Sequence, residues 1–281
     1  MRYHIGVAEN PDKRQKSDAK PKWHWSYLVC LAVQMAVVAS AYYALAVRSF
    51  LVPAVFYWLV AILGILTIVL MIVGMVKQSI SYVWWEALLL IFAFCGIWIL
   101  CLAVLPLWLA VTVAGLVTLL PYLWPLTLWH DLAFLLGTAG IGLFAAMIFP
   151  SNVLLICAMG VVIYEAIRVR QAQIATLYAG AFDAGLPPGM LLPAEWNGWF
   201  KPIERTWQAG QGMVAGLLPF IVIAAMALRL ARLGWAWFSF LGLLMGAVSV
   251  FWGKDRHGAL RSWIFPAIAV VFYALAGIFI L

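Results

Sequence analysis

The chain has 281 residues, of which 67% are hydrophobic and 10% are charged, and its mean hydropathy is +1.06. Soluble domains carry about 25% charged residues, so no soluble fold would bury this much apolar surface. The sequence therefore predicts an integral membrane protein, which we expect in the plasma (inner) membrane of a prokaryote. Its formal net charge of +7 does not indicate nucleic-acid binding, because the basic residues lie in loops, where they set the topology.

Nine apolar segments approach the length of about 20 residues that a helix needs to cross the hydrocarbon core. The sequence thus predicts an all-α, polytopic membrane protein with about nine transmembrane helices. The breaks between the third and sixth spans are Pro106, His130-Asp131 and Pro150-Ser151. In chain order, the predicted spans are 25–47, 53–76, 81–105, 107–129, 132–150, 152–169, 210–228, 233–252 and 263–281.

The basic residues test this count. With a cytoplasmic N-terminus, 14 of the 17 lysines and arginines fall on the inside, and Arg48, Arg229 and Arg232 fall outside. The positive-inside rule therefore favours an odd number of spans and a cytoplasmic N-terminus. We divide the chain into a polar cytoplasmic tail (1–24), the first four transmembrane helices (25–131) and five further helices (132–281). The last part includes a cytoplasmic connection at 171–208.

No cofactor or metal site is indicated. The four cysteines all fall inside apolar spans without a CxxC pair, and the histidines lie in the tail or in expected loops. Small buried cysteines and loop histidines are the ordinary interpretation. We therefore expect neither a disulfide framework nor a haem.

The sixth span contains an acidic residue, in the pair Tyr164-Glu165. A carboxylate near the bilayer centre costs roughly 2.5 kcal/mol or more, so an acid inside a span suggests a function. Two more motifs follow in order: Gly210-Gln211-Gly212-Met213 opens the seventh span, and Pro266-Ala267-Ile268 lies near the start of the ninth.

This order of motifs resembles the presenilin and signal-peptide-peptidase family of intramembrane aspartyl proteases. In that family, a Tyr-Asp pair, a Gly-x-Gly-Asp motif and a Pro-Ala-Leu motif stand at these places. The resemblance covers residues 132–281 and implies a presenilin-like helix bundle. It makes Tyr164, Glu165, Gly210, Gly212, Met213, Pro266 and Ala267 the family-equivalent positions.

The two catalytic aspartates of that family are replaced, so we assign no catalytic residue. Met213 stands at the second position, and the seventh span has no acid. Glu165 has one methylene more than aspartate, and Arg168, three residues on, is a suitable ion-pair partner on the same helix face. Glu86 in the third span has no sequence support as a replacement acid, and Asp183 is expected to be a turn or cap residue.

We therefore expect a pseudo-protease rather than an enzyme: an inactive presenilin-like protein that acts as a structural or binding subunit of a membrane assembly. Its expected partners are the lipid bilayer and other membrane proteins, without nucleic acid. One alternative is an active intramembrane protease that uses Glu165 with an unidentified second acid. A second alternative is a transporter or channel, for which Gln34 and Glu165 are nearly the whole supply of polar groups inside the spans.

Overall fold

The computed structural model describes residues 24–47, 82–168, 189–193, 195–208, 212–252 and 264–280. This part of the chain is mostly helical, as predicted. Its long helices are α1 (His24–Val47), α2 (Tyr82–Leu102), α3 (Leu107–Leu123), α4 (Thr127–Ile148), α5 (Ser151–Arg168), α7 (Leu217–Leu233), α8 (Trp235–Trp252) and α9 (Ile264–Ile280). Between α5 and α7 lie strand β1 (Met190–Pro193), a 3-10 helix (Trp196–Phe200), the short helix α6 (Ile203–Gln208) and strand β2 (Gly212–Ala215).

Two of these helices contain a stretch long and apolar enough to cross a membrane, namely Trp25–Ala44 and Thr127–Ile148. Within the described ranges, five further helices contain shorter apolar stretches of 10–17 residues. The predicted second span, 53–76, lies outside the described residues. The structure thus supports a helical protein with candidate membrane spans, and the count of nine stays a prediction.

Prolines set several helix ends. Trp124, which caps α3, is extended at φ −133° and ψ 93°, a geometry favoured by the proline that follows it. The break between the fourth and fifth spans therefore lies at 124–126 and not at the predicted position, His130-Asp131. Both of these residues belong to the first turns of α4. The expected division of the chain at 131/132 accordingly falls inside a continuous helix.

The seventh helix also starts later than predicted. The segment from Gly212 to Ala215 forms strand β2, and α7 begins only at Leu217. Strand β2 pairs antiparallel with β1, with Leu191 opposite Val214 and Pro193 opposite Gly212. The Gly-x-Gly segment therefore leads into a two-stranded hairpin instead of opening a transmembrane helix.

Helix α4 is the centre of the bundle, packing against α1, α2, α3, α7 and β1. Glycines allow this close approach: a Cβ at Gly140 would overlap the Gly96 carbonyl of α2, and a Cβ at Gly142 would lie 2.6 Å from the Ala224 Cβ of α7. Small residues at helix contacts are characteristic of membrane bundles, where dispersion replaces the hydrophobic effect as the driving force.

Candidate functional site at one end of the bundle

Helices α5, α7 and α9, which carry or adjoin the three predicted motifs, pack against one another. Glu165, in the last turn of α5, is only 1% exposed, while its neighbour Tyr164 is 37% exposed. Pro266 is buried and Ala267 half-buried in the first turn of α9. The structure therefore brings the first and third motifs to the same group of helices.

The second motif is only partly described. Gly210 lies outside the described residues, and Gly212 and Met213 belong to β2, opposite Pro193 and Leu192 of β1. Helix α7, from Leu217 to Leu233, contains no acidic residue. Met213, which stands where the second catalytic aspartate of the presenilin-like family would be, is thus part of strand β2.

Three other residues singled out in the sequence have side chains that the structure does not describe. The backbone of Glu86 lies in α2 and that of Arg168 ends α5, but both side chains lie outside what the structure describes. Asp183 also lies outside the described ranges. The predicted ion pair between Glu165 and Arg168 therefore stays a prediction.

Tyr27 of α1 joins the first and third motifs. Its ring centroid lies 4.5 Å from that of Phe265, which precedes Pro266, and 5.5 Å from that of Phe220 in α7. The Tyr27 hydroxyl is also close enough to Glu165 for electrostatic interaction. Tyr27 is fully buried, so it fills the space between α1, α5, α7 and α9.

Asp131 is the functional candidate that sequence reasoning missed. It is 1% exposed, in the second turn of α4. Its Oδ1 accepts a hydrogen bond from the Leu191 N–H of β1 at 2.8 Å and lies 3.1 Å from Nδ1 of His130. Among the described residues, its Oδ2 has no hydrogen-bond partner. An acid in an apolar stretch of sequence suggests a function, and Asp131 is such an acid. It was not considered because residues 130–131 were expected to form a loop between two spans.

The hydrogen bond from the Leu191 N–H to Asp131 shows which edge of the two-stranded pair faces the helix bundle. In an antiparallel pair, opposite residues either exchange both backbone hydrogen bonds or direct both groups away from each other. The Leu191 N–H points to Asp131, so Leu191 and Val214 are a pair of the second kind. Because the two kinds of pair alternate along the strands, Pro193 and Gly212 also direct their backbone groups away from each other. The outward groups of β1 therefore face α4 and α1, and those of Val214 and Gly212 face the opposite edge.

Two groups on the outer edge of β1 have hydrogen-bond partners in the helix bundle. Asp131 accepts from Leu191, proline 193 has no N–H to offer, and the Ser26 hydroxyl of α1 donates to the Pro193 carbonyl. On the outer edge of β2, Gly212 and Val214 make no backbone hydrogen bond to the described part of the chain. The bundle thus covers the outer edge of β1, and the outward backbone groups of β2 lie on the opposite edge of the pair.

The connection after β1 is fixed to the same end of the bundle. The Thr127 N–H and hydroxyl both donate to the Lys201 carbonyl, at 3.1 and 3.0 Å, and Leu126 forms an isolated bridge with Pro202. Trp199 of the 3-10 helix is 5% exposed, so it anchors the segment by burial. These contacts hold β1, and through it β2, against the first turns of α1 and α4.

Gln34, the other polar residue noted in the spans, also has a structural contact. Its Nε2 donates to the Phe220 carbonyl of α7 at 2.7 Å, and the residue is fully buried. This bond connects α1 to α7 about two helical turns further along α1 than Tyr27. Among the described side chains, no group of three or more His, Cys, Asp or Glu residues is placed to hold a metal ion.

Comparisons with protein-family models, with curated proteins and with solved structures find no match for this chain. The presenilin-like resemblance therefore rests on the residues named above.

Proposed function

We propose that the chain is a non-catalytic, presenilin-like integral membrane protein with about nine spans, which holds an extended segment of a partner protein at the outer edge of β2. In this role it is a binding subunit of a membrane assembly. The observation that carries the proposal is the one-sided hairpin: Ser26 and Asp131 close the edge of β1, and the outward groups of Val214 and Gly212 lie on the other edge.

Strand addition gives affinity through main-chain hydrogen bonds, and it needs an exposed edge with a fixed register. The β1 residues Met190, Leu191 and Leu192 are fully buried, so the hairpin is held rigidly against the helices. An added strand would then form its bonds on a preorganised template, which lowers the entropic cost of binding.

The lack of hydrolysis follows from the carboxylates. An aspartyl mechanism needs two carboxyl groups that share one proton. The methionine at position 213 offers none, and Oδ1 of Asp131 already accepts the Leu191 N–H. A site with one family-position acid, Glu165, is suited to holding a segment and not to cleaving it.

The edge is tested by proline substitution and cross-linking in the native membrane. A photoreactive residue at Ala215 captures whatever adds to β2, and mass spectrometry identifies it. Val214→Pro removes an outward N–H without removing a bond of the β1–β2 ladder, so it should abolish the cross-link and leave the fold intact. Met213→Pro is the matched control, because it removes an inward N–H and should break the hairpin itself.

A cross-link of undiminished yield in Val214→Pro would rule out strand addition. If the unsubstituted protein yields no cross-linked or co-purifying protein at all, the binding role itself is wrong.

A second candidate function is proteolysis with Asp131 as the second acid. It is favoured by one observation: Asp131 and Glu165 are both buried at the same end of the bundle, within electrostatic reach of Cys30 and Tyr27 respectively, which lie one turn apart on α1. This function requires that Glu165→Gln and Asp131→Asn each abolish cleavage of a single-span substrate. Cleavage that survives either change would exclude it.

A further inference from the structure

Two arginines lie one helical turn apart at the end of α7 that is remote from the site. Arg229 and Arg232 are spaced i, i+3, so they share one side of the helix. They are two of the three basic residues that the predicted topology places outside, where the positive-inside rule disfavours them. Two positive charges this close repel each other, so an anion beside them would be stabilising.

The described acidic side chains do not supply that charge. Glu165 interacts with Tyr27 near the start of α1, whereas the arginine end lies near Tyr42. The Tyr42 ring meets that of Trp235 edge-on, with centroids 5.2 Å apart. Fifteen helical residues separate Tyr27 from Tyr42, a distance of about 22 Å. Asp131 and Glu195 lie at the Tyr27 end with the hairpin and its connection.

The local contacts leave the arginine pair undercompensated. One Nη of Arg229 donates to the carbonyl of Phe149, which caps the C-terminus of α4. Arg232 is exposed, and its pKa is lowered by partial burial and by the neighbouring charge of Arg229, while Tyr42 opposes the shift. An anion placed between the two guanidinium groups would remove the repulsion and the desolvation cost together.

The surroundings indicate the source of the anion. Exposed aromatic side chains lie close to the arginines: Phe149, whose carbonyl Arg229 binds, is 42% exposed, and Trp235, which contacts Tyr42, is 47% exposed. Aromatic rings concentrate at the level of the lipid headgroups, and guanidinium groups bind phosphate through paired hydrogen bonds. We propose that Arg229 and Arg232 together bind the phosphate of a phospholipid headgroup, whose acyl chains lie along the exposed side of α8. This proposal does not depend on the function proposed for the hairpin.

The test is native mass spectrometry of the full chain, purified in mild detergent and delipidated, then titrated with phosphatidylglycerol. A diglucosyl diacylglycerol with the same acyl chains serves as the phosphate-free probe. The unsubstituted protein should bind phosphatidylglycerol at least about tenfold more tightly than the glycolipid, since one charge-assisted hydrogen bond is worth roughly that factor. Arg232→Gln and Arg229→Gln should each remove this preference, and Arg205→Gln, at the other end of the bundle, should keep it.

Equal binding of the two lipids, or a preference that persists in Arg232→Gln, would overturn the proposal. Arg232 is exposed, so this variant stays informative even if Arg229→Gln fails to fold, because Arg229 also holds the end of α4. Inorganic phosphate is the third probe. If it raises the Tm of the delipidated protein as much as phosphatidylglycerol does, the site binds free phosphate and the assignment to a lipid is wrong.

Discussion

Replacement of Asp131 by alanine is the sharpest test of the closed edge of β1. The carboxylate is 1% exposed and accepts the Leu191 N–H at 2.8 Å, while Leu191 itself is fully buried. The substitution leaves that N–H without an acceptor in an apolar environment, at a cost of about 1–3 kcal/mol. It also removes a buried carboxyl whose Oδ2 has no described partner, which offsets part of the loss in global stability.

A measurement confined to β1 distinguishes the loss of the hydrogen bond from the removal of the buried carboxyl. Hydrogen–deuterium exchange of 189–193 reports the opening of β1, whereas the Tm reports the sum of both terms. We expect Asp131→Ala to accelerate exchange in this segment roughly 5- to 150-fold, which corresponds to the 1–3 kcal/mol range. The Tm should change by less than that energy would imply.

Asp131→Asn is the matched control for this experiment. Asparagine keeps an acceptor oxygen for the Leu191 N–H, while it loses the charge and replaces the second oxygen by an amide NH2. Exchange in 189–193 should therefore remain close to that of the unsubstituted protein. Unchanged exchange in Asp131→Ala would show that the bond to Leu191 does not hold the strand, and the argument for a one-sided hairpin would fail with it.

Three further predictions concern packing, burial and topology. Gly140→Ala should lower the free energy of unfolding by about 1–3 kcal/mol, because its methyl group would overlap the α2 backbone. Gly160→Ala, on an open face of α5, should instead stabilise by up to about 1 kcal/mol; equal effects in thermal unfolding would refute the close α2–α4 contact. Tyr27→Phe removes a buried hydroxyl without a described partner, so its Tm should be unchanged or raised, and a marked loss would reveal a bond there. Cysteines introduced in the 1–23 tail and at Trp196 should react with an impermeant thiol reagent from the same, cytoplasmic side, and labelling from opposite sides would break the span count.

Several helices follow directly from local sequence. The predicted spans 25–47, 152–169 and 233–252 correspond to α1 (His24–Val47), α5 (Ser151–Arg168) and α8 (Trp235–Trp252). Their ends coincide with polar or proline-containing segments, and both signals act within a few residues of the chain.

The errors arose where tertiary contacts override the local pattern. The glycine-containing segment from Gly210 was predicted to open a helix, but Gly212–Ala215 pair with β1, about 20 residues earlier in the chain. The pair His130-Asp131 was expected to be a loop because it is polar, yet it is buried in α4. The candidate site was half predicted: Glu165 and Pro266 follow from sequence motifs, and Tyr27, Ser26 and Asp131 do not.

The sequence by itself determined the apolar, helical character of this protein and most of its helix ends, because composition, periodicity and proline chemistry are properties of short segments. Only the tertiary structure decided that Asp131 bonds to a strand 60 residues away and that the hairpin has one closed edge. A buried carboxylate must find a hydrogen-bond donor, but the sequence does not specify which donor the fold brings within reach.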